Sequence, residues 1–211
     1  FSRSYGKDVL IRYFRETSVI AKMLMRDPGT FEMLEIVYKE EMLEGVIDKY
    51  LLGSLPAQAL RNRLKAVTMH LPSQIESITH RGSAGKTVKV ANLGCGSARD
   101  VIMAMQQNPP LRKFTSIDCI DTDIVALTTA RELASNAGLD QNISFTQKSL
   151  TQLSYKKEID LGLLIGVLCG LVYRACVVIL KKIKKYFKKG GILIASNVLA
   201  AMAEQEPFFT Y

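Results

Sequence analysis

Apolar residues recur every third and fourth position through the first eighty residues of the chain. Leu10, Tyr13, Phe14, Thr17, Ile20, Ala21 and Leu24 form one helical stripe, which Asp27-Pro28-Gly29 interrupts. A second starts near Phe31 and runs through Leu34, Tyr38, Met42 and Val46 to Tyr50. Gly53-Ser54-Leu55-Pro56 separates it from a third, where Leu60, Leu64, Val67 and Leu71 share a face that is predicted to end at Pro72. The pattern then changes. Arg81-Gly82-Ser83-Ala84-Gly85-Lys86 is small and polar, and Val88-Lys89-Val90-Ala91-Asn92-Leu93 follows as a short run expected to form a buried strand. Further strands are predicted over 114–121, 142–147, 159–165 and 191–196, and helices over 97–107, 123–137 and 170–188. Strands separated by helices pair in parallel through right-handed crossovers. The expectation is an α/β, doubly wound, mostly parallel Rossmann-like sheet over 86–211, preceded by an all-helical subdomain over 1–80.

Composition narrows the function classes. The chain has 211 residues, 48% hydrophobic and 23% charged, which suits a globular fold and excludes a disordered one. The longest apolar run, Leu161–Leu171, is far short of the ~20 residues needed to span a bilayer. Cys95, Cys119, Cys169 and Cys176 form no C-x-x-C pair, and with two histidines a metal site is not expected. Together these features predict a reducing, cytoplasmic setting. The net charge of +8 is concentrated in the second part, with 16 basic against 10 acidic residues in 86–211. Lys181, Lys182, Lys184, Lys185, Lys188 and Lys189 are predicted to decorate the outer face of one amphipathic helix. A solvated surface is the ordinary reading of that stretch; contact with anionic lipid or nucleic acid is the alternative.

The chemistry concentrates where the first strand ends, in Val90-Ala91-Asn92-Leu93-Gly94-Cys95-Gly96-Ser97-Ala98-Arg99-Asp100. Glycine permits a tight turn and lets a ligand approach bare backbone, and the following helix N-terminus favours an anionic group. A dinucleotide site wants a third glycine where Arg99 stands, which argues against nicotinamide or flavin cofactors. The second strand closes on Asp121, whose carboxylate can accept ribose hydroxyls, while Asp123 reads as the N-cap of the next helix.

This sequence of motifs resembles class I S-adenosylmethionine-dependent methyltransferases. The resemblance rests on the strand followed by Gly94-Cys95-Gly96 and a helix, on Asp121, on Asp160–Leu164 with Gly166-Val167-Leu168, and on Phe187–Ile194 with its Gly190-Gly191 step. It implies that S-adenosylmethionine is the cofactor and that Asn92, Gly94, Cys95, Gly96, Arg99, Asp121, Thr122, Ser149, Leu150 and Gly166 surround it. Many members carry acids where Asn92 and Ser149 stand, so these two positions depart from the pattern. The segments 92–99, 145–149 and Ala59-Leu60-Arg61-Asn62-Arg63 are also similar to a narrower bacterial group. Its label is the synthesis of the 3-hydroxypalmitic acid methyl ester, an extracellular factor. The family's usual closing strand hairpin is expected to be missing, because only 14 residues follow Asn197 and Pro207 interrupts them.

The expected activity is methyl transfer to a small-molecule acceptor, with carboxyl O-methylation of a lipid-like acid as its narrower form. A carboxylate is already an anionic nucleophile at neutral pH, which fits the lack of an evident catalytic base. No catalytic residue is assigned. Arg61 (with Arg63), Tyr173 and Asn197 are the candidates for contact with the acceptor, and the N-terminal helices are expected to act as a lid or substrate cover. The competing class is a binding protein of the same fold, without catalysis, docking to nucleic acid or membrane through the lysine-rich segment.

Overall fold

The computed structural model describes residues 7–26, 29–39, 43, 45–81 and 86–198. Two compact units divide within one long helix, between Arg63 and Leu64, rather than at the small polar linker.

In the unit up to Arg63 the predicted helical runs are cut into shorter pieces. Helices α1 (Lys7–Thr17) and α2 (Val19–Arg26) part at Ser18, and α3 (Phe31–Lys39) and α4 (Val46–Gly53) lie on either side of an extended Gly45. The break at Ser18 has a polar cause. Asp48 of α4, almost fully buried, accepts the Ser18 hydroxyl at 2.6 Å and the amides of Val19 and Ile20 at 3.2 and 2.9 Å. The Ser18 hydroxyl oxygen in turn accepts the Ala21 amide at 2.9 Å. The free first-turn donors of α2 are thereby satisfied from a neighbouring helix as well as from its own cap.

Helix α5 (Leu55–Arg81) corrects the third prediction, because it continues through Pro72. An interior proline costs about 3 kcal/mol of helix stability. Here Leu71 and Ile75, both with no exposed surface, bury side chains worth roughly 1.5–3 kcal/mol each, and that burial overrides the local penalty.

The second unit is built on five parallel strands, β1 (Val88–Leu93), β2 (Thr115–Asp121), β3 (Ile143–Gln147), β4 (Ile159–Leu164) and β5 (Phe187–Ala195). Their order is β3-β2-β1-β4-β5, so the chain reverses its direction of travel across the sheet between β1 and β4. Helices α6 (Arg99–Gln107), α7 (Ile124–Asn136) and α8 (Tyr173–Ile183) follow β1, β2 and β4. Side chains of one face, among them Val90, Ile117, Leu161 and Leu163, pack with Val67, Leu71 and Ile75 of α5 and with Val101 and Met105 of α6. The other face, including Ala91, Leu93, Ile120 and Leu164, packs with Ile179, Ile183 and Tyr186. The doubly wound parallel sheet expected from the sequence is present.

Two local expectations are revised at its edge. The lysine stretch is not one helical face: α8 stops at Ile183, a 3₁₀ turn covers Lys184–Tyr186, and β5 already begins at Phe187. Lys182 donates to the Thr151 carbonyl, and Lys188 pairs with Asp160 at 2.6 Å. The Gly190-Gly191 step lies inside β5, as a bulge where two steps along β4 match five along β5. Beside it the Phe187 ring fills the space over Gly162, where a Cβ would come within 2.4 Å of the ring's Cζ. The expectation that the closing strand hairpin is missing falls on residues 199–211, outside the described residues.

Candidate cofactor site

In an open α/β sheet the crevice for ligands opens at the carboxyl ends of the strands where the strand order reverses. That point here is the end of β1 beside β4, and the candidate residues gather around it. The amides of Gly94 and Cys95 donate to the Ile120 carbonyl at 2.8 and 3.1 Å, which stitches the glycine turn to the end of β2. Gly94 and Gly96 both take positive φ, 70° and 53°. A Cβ on Gly94 would also sit 2.5 Å from the Val167 Cγ2, so glycine is required there by close packing as well as by conformation.

Asp121 turns towards this loop. Its Oδ2 accepts the Gly96 amide at 2.8 Å and its Oδ1 accepts the Asp123 amide at 3.0 Å. Asp123 caps α7 as expected, accepting from Val125 and Ala126. The loop after β3 closes on the same region: the Lys148 amide donates to the Asp121 carbonyl at 2.8 Å, and Gln147 Nε2 to the Thr122 carbonyl at 3.0 Å. Thr122 itself is exposed. Ser149 caps a short 3₁₀ turn and its hydroxyl oxygen accepts the Thr151 amide at 3.3 Å, while Leu150 packs against the α8 side of the core.

Beneath the turn, Asn92 is almost fully buried and its Nδ2 donates to Asp100 Oδ1 at 3.0 Å. The same oxygen accepts the Val101 amide at 2.8 Å, so Asp100 satisfies a first-turn donor of α6 that the N-cap residue Ala98 leaves unserved. Arg99 opens α6 and is half-buried. Cys119, fully buried under the turn, has its thiol pKa pushed well up, chiefly by burial and then by its contact with the Cys95 side chain.

On the β4 side Gly166 has φ 75°, and its amide donates to the Ser196 hydroxyl at 2.9 Å. Ser196 follows β5, so this bond ties the loops after two neighbouring strands together. Asp100, Val167 and Ser196 had not been singled out as site residues. Only Asp100 carried a readable signal, an acid in the first turn of a helix. The acceptor candidates are more scattered. Tyr173 starts α8 and is 81% exposed, Asn197 is exposed with its Oδ1 accepting the Val198 amide at 2.9 Å, and neither makes a described contact with the turn. Arg61 belongs to the first unit, where it donates to the Leu52 carbonyl at 3.0 Å. Arg63 donates to the Tyr38 hydroxyl at 2.9 Å.

The donor set fits a nucleoside cofactor. An ionised carboxylate offers about four acceptor positions, and Asp121 uses one on each oxygen, leaving capacity for two hydroxyls. Among the described residues no group of three or more His, Cys, Asp or Glu side chains is placed to hold a metal ion, and no helix is long and apolar enough to cross a membrane.

Comparison with known proteins agrees with the fold. The chain superposes with a TM-score of 0.73 on a "possible exported protein" from Bordetella parapertussis, at 18% identity, covering 90% of this chain and 61% of the other. It also matches StiE O-MT residues 961–1257 (TM-score 0.52, 17% identity, 79% and 51% covered) and the PH0226 protein from Pyrococcus horikoshii OT3 (0.50, 17%, 69% and 59%). The chain thus spans roughly half to three-fifths of the length of these structures. No curated protein matches it in sequence. Residues 84–208 match the family model described as a methyltransferase domain, more than half of the chain. With that model matched over more than half of the chain's length, and with a glycine turn after β1 and an acid closing β2, the chain belongs to the methyltransferase domain family, as its class I motifs implied.

Proposed function

We propose that the chain is an S-adenosylmethionine-dependent methyltransferase domain that acts on a small molecule, and that the acceptor is a lipid-like carboxylic acid methylated on its carboxylate oxygen. The observation that carries the cofactor part is the orientation of Asp121, which faces the Gly96 amide at 2.8 Å. The cofactor supplies an electrophilic methyl group on a sulfonium. Asp121 would hold the ribose hydroxyls, and the backbone of Gly94, Cys95 and Gly96, with Asn92 and Arg99 beneath and beyond it, would shape the turn that faces the cofactor. Thr122, Ser149 and Leu150 would border the nucleoside on the β2–β3 side, and Gly166 would border it on the β4 side.

The carboxylate acceptor is supported by what surrounds the turn. The remaining acceptor capacity of Asp121 goes to the ribose hydroxyls in this reading, and Asp100 is buried against Asn92 and Val101, so neither is assigned as a general base. A carboxylate nucleophile needs none, and the enzyme's task reduces to alignment and proximity. Val172 and Tyr173, 75% and 81% exposed beside the loop after β4, offer an apolar surface for an acyl chain. Tyr173 and Asn197 would line the acceptor side. A cytoplasmic setting goes with this reading.

The test is a transfer assay with isotopically labelled S-adenosylmethionine and a series of carboxylic acids of increasing chain length, read by mass spectrometry. Methyl esters formed preferentially from the long acids support the proposal. Cofactor binding with no ester from any acid, or transfer to amines instead, overturns the acceptor assignment.

A further inference from the structure

The amide of Asn92 and the carboxylate of Asp100 are joined across the base of the glycine turn, one at the end of β1 and the other in the first turn of α6. Only the turn, residues 94–98, lies between the strand and the helix. Both side chains are buried, so neither can exchange its partner for bulk water without cost. Asn92 also sits where β1 is flanked on both sides, opposite Cys119 of β2 and Leu163 of β4, so its backbone is fixed by the sheet. Asp100 is fixed in turn by the Val101 amide. The link therefore sets the angle and spacing at which α6 leaves the strand, and with them the path of the backbone through Gly94 and Gly96.

We propose that Asp100 is a positioning residue for the cofactor turn, acting through Asn92, and that the turn requires one amide and one carboxylate at this pair while being indifferent to which element carries which. An amide donates and accepts, whereas an ionised carboxylate only accepts, so the pair is complementary in either order. Two carboxylates would repel where both side chains are buried, and an apolar residue at position 100 would leave the buried Asn92 amide without this acceptor. The functional consequence rests on the cofactor reading above; the ordering of the turn does not.

Three variants decide it: Asn92→Asp, Asp100→Ala and the exchange Asn92→Asp/Asp100→Asn. Each is measured by amide hydrogen exchange over residues 93–101 and by titration with S-adenosylhomocysteine, with thermal unfolding as the check on global stability. The single variants are expected to speed exchange across the turn and to weaken binding by about tenfold or more. The exchange variant is expected to return both readouts to within about threefold of the wild type. An exchange variant no better than Asn92→Asp overturns the proposal, as do single variants whose turn amides exchange as in the wild type. Should Asn92→Asp fail to fold, the exchange variant compared directly with the wild type and Asp100→Ala gives the same decision. Should the wild type bind no S-adenosylhomocysteine, the cofactor reading fails while the exchange rates still decide the pair.

Discussion

The carboxylate of Asp121 accepts the amide hydrogen of Gly96 at 2.8 Å, joining the end of β2 to the turn that ends β1. Two strands that are neighbours in the sheet are thus joined at their carboxyl ends through one carboxylate and one backbone amide. The contact explains why an acid stands at the end of β2, where a plain turn would accept many residues. The second oxygen is held by the Asp123 amide, so backbone donors orient both oxygens of the carboxylate.

Gly94 is predicted to tolerate no side chain. Gly94→Ala meets two obstacles, a φ of 70° and a contact of 2.5 Å with Val167 Cγ2. The expected loss is about 2–4 kcal/mol, from left-handed strain and overpacking together. Val167→Ala in the same chain is expected to recover the overpacking part only. Urea denaturation of the wild type, the single variant and the double variant checks both statements.

The Phe187 ring at the start of β5 is seated on Gly162 of β4. Gly162→Ala would bring a Cβ within 2.4 Å of Phe187 Cζ and is expected to cost about 1–3 kcal/mol. With Phe187→Leu already in place the same change is expected to cost markedly less. Equal costs in the two backgrounds, measured by thermal denaturation, would refute this packing.

Thr68 is 4% exposed and its hydroxyl has no hydrogen-bond partner among the described residues. A buried hydroxyl without a partner costs about 1–3 kcal/mol, so Thr68→Val, of nearly the same shape, is expected to raise stability by about 1 kcal/mol. A drop in the unfolding midpoint would show that the hydroxyl is satisfied in solution.

Tyr155 supplies a pH dependence. Burial first, and then the Asp118 carboxylate that its hydroxyl approaches at 3.3 Å, raise its phenol above the ordinary tyrosine range. In the unfolded chain the phenol ionises near pH 10, whereas in the folded chain it keeps its proton to higher pH. The folded state then holds more protons than the unfolded one, so this group's stabilisation is complete below about pH 10 and declines as pH rises further. Tyr155→Phe is expected to flatten the alkaline limb of stability against pH. An unchanged alkaline slope would contradict the sign or the assignment.

How much of this could be read from the chain alone depends on whether local pattern or distant packing decides. The strands were legible because the short runs Val88–Leu93 and Ile159–Leu164 place apolar residues on both faces, as buried parallel strands do. Gly94, Gly96 and Asp121 were legible because conformation and chemistry both constrain those positions. Pro72 misled because helix termination is a local rule, and the burial of Leu71 and Ile75 outweighs it. The lysine stretch misled for a related reason: its apolar spacing suits a helix, but Phe187 is drawn into the sheet by its fit over Gly162. Asn92 read as a departure from the acids of related proteins. Its partner Asp100, eight residues on, makes the amide the complementary choice, and no single-position reading could pair them.

The most direct test of the account is a calorimetric titration of S-adenosylhomocysteine into the wild-type chain and into Asp121→Ala, with both variants shown to be folded. The account predicts micromolar binding to the wild type and a loss of about ten- to a hundredfold in the variant, the size of charge-assisted hydrogen bonds to a ligand. Equal affinity in the two proteins, or no heat from the wild type at millimolar ligand, would contradict it.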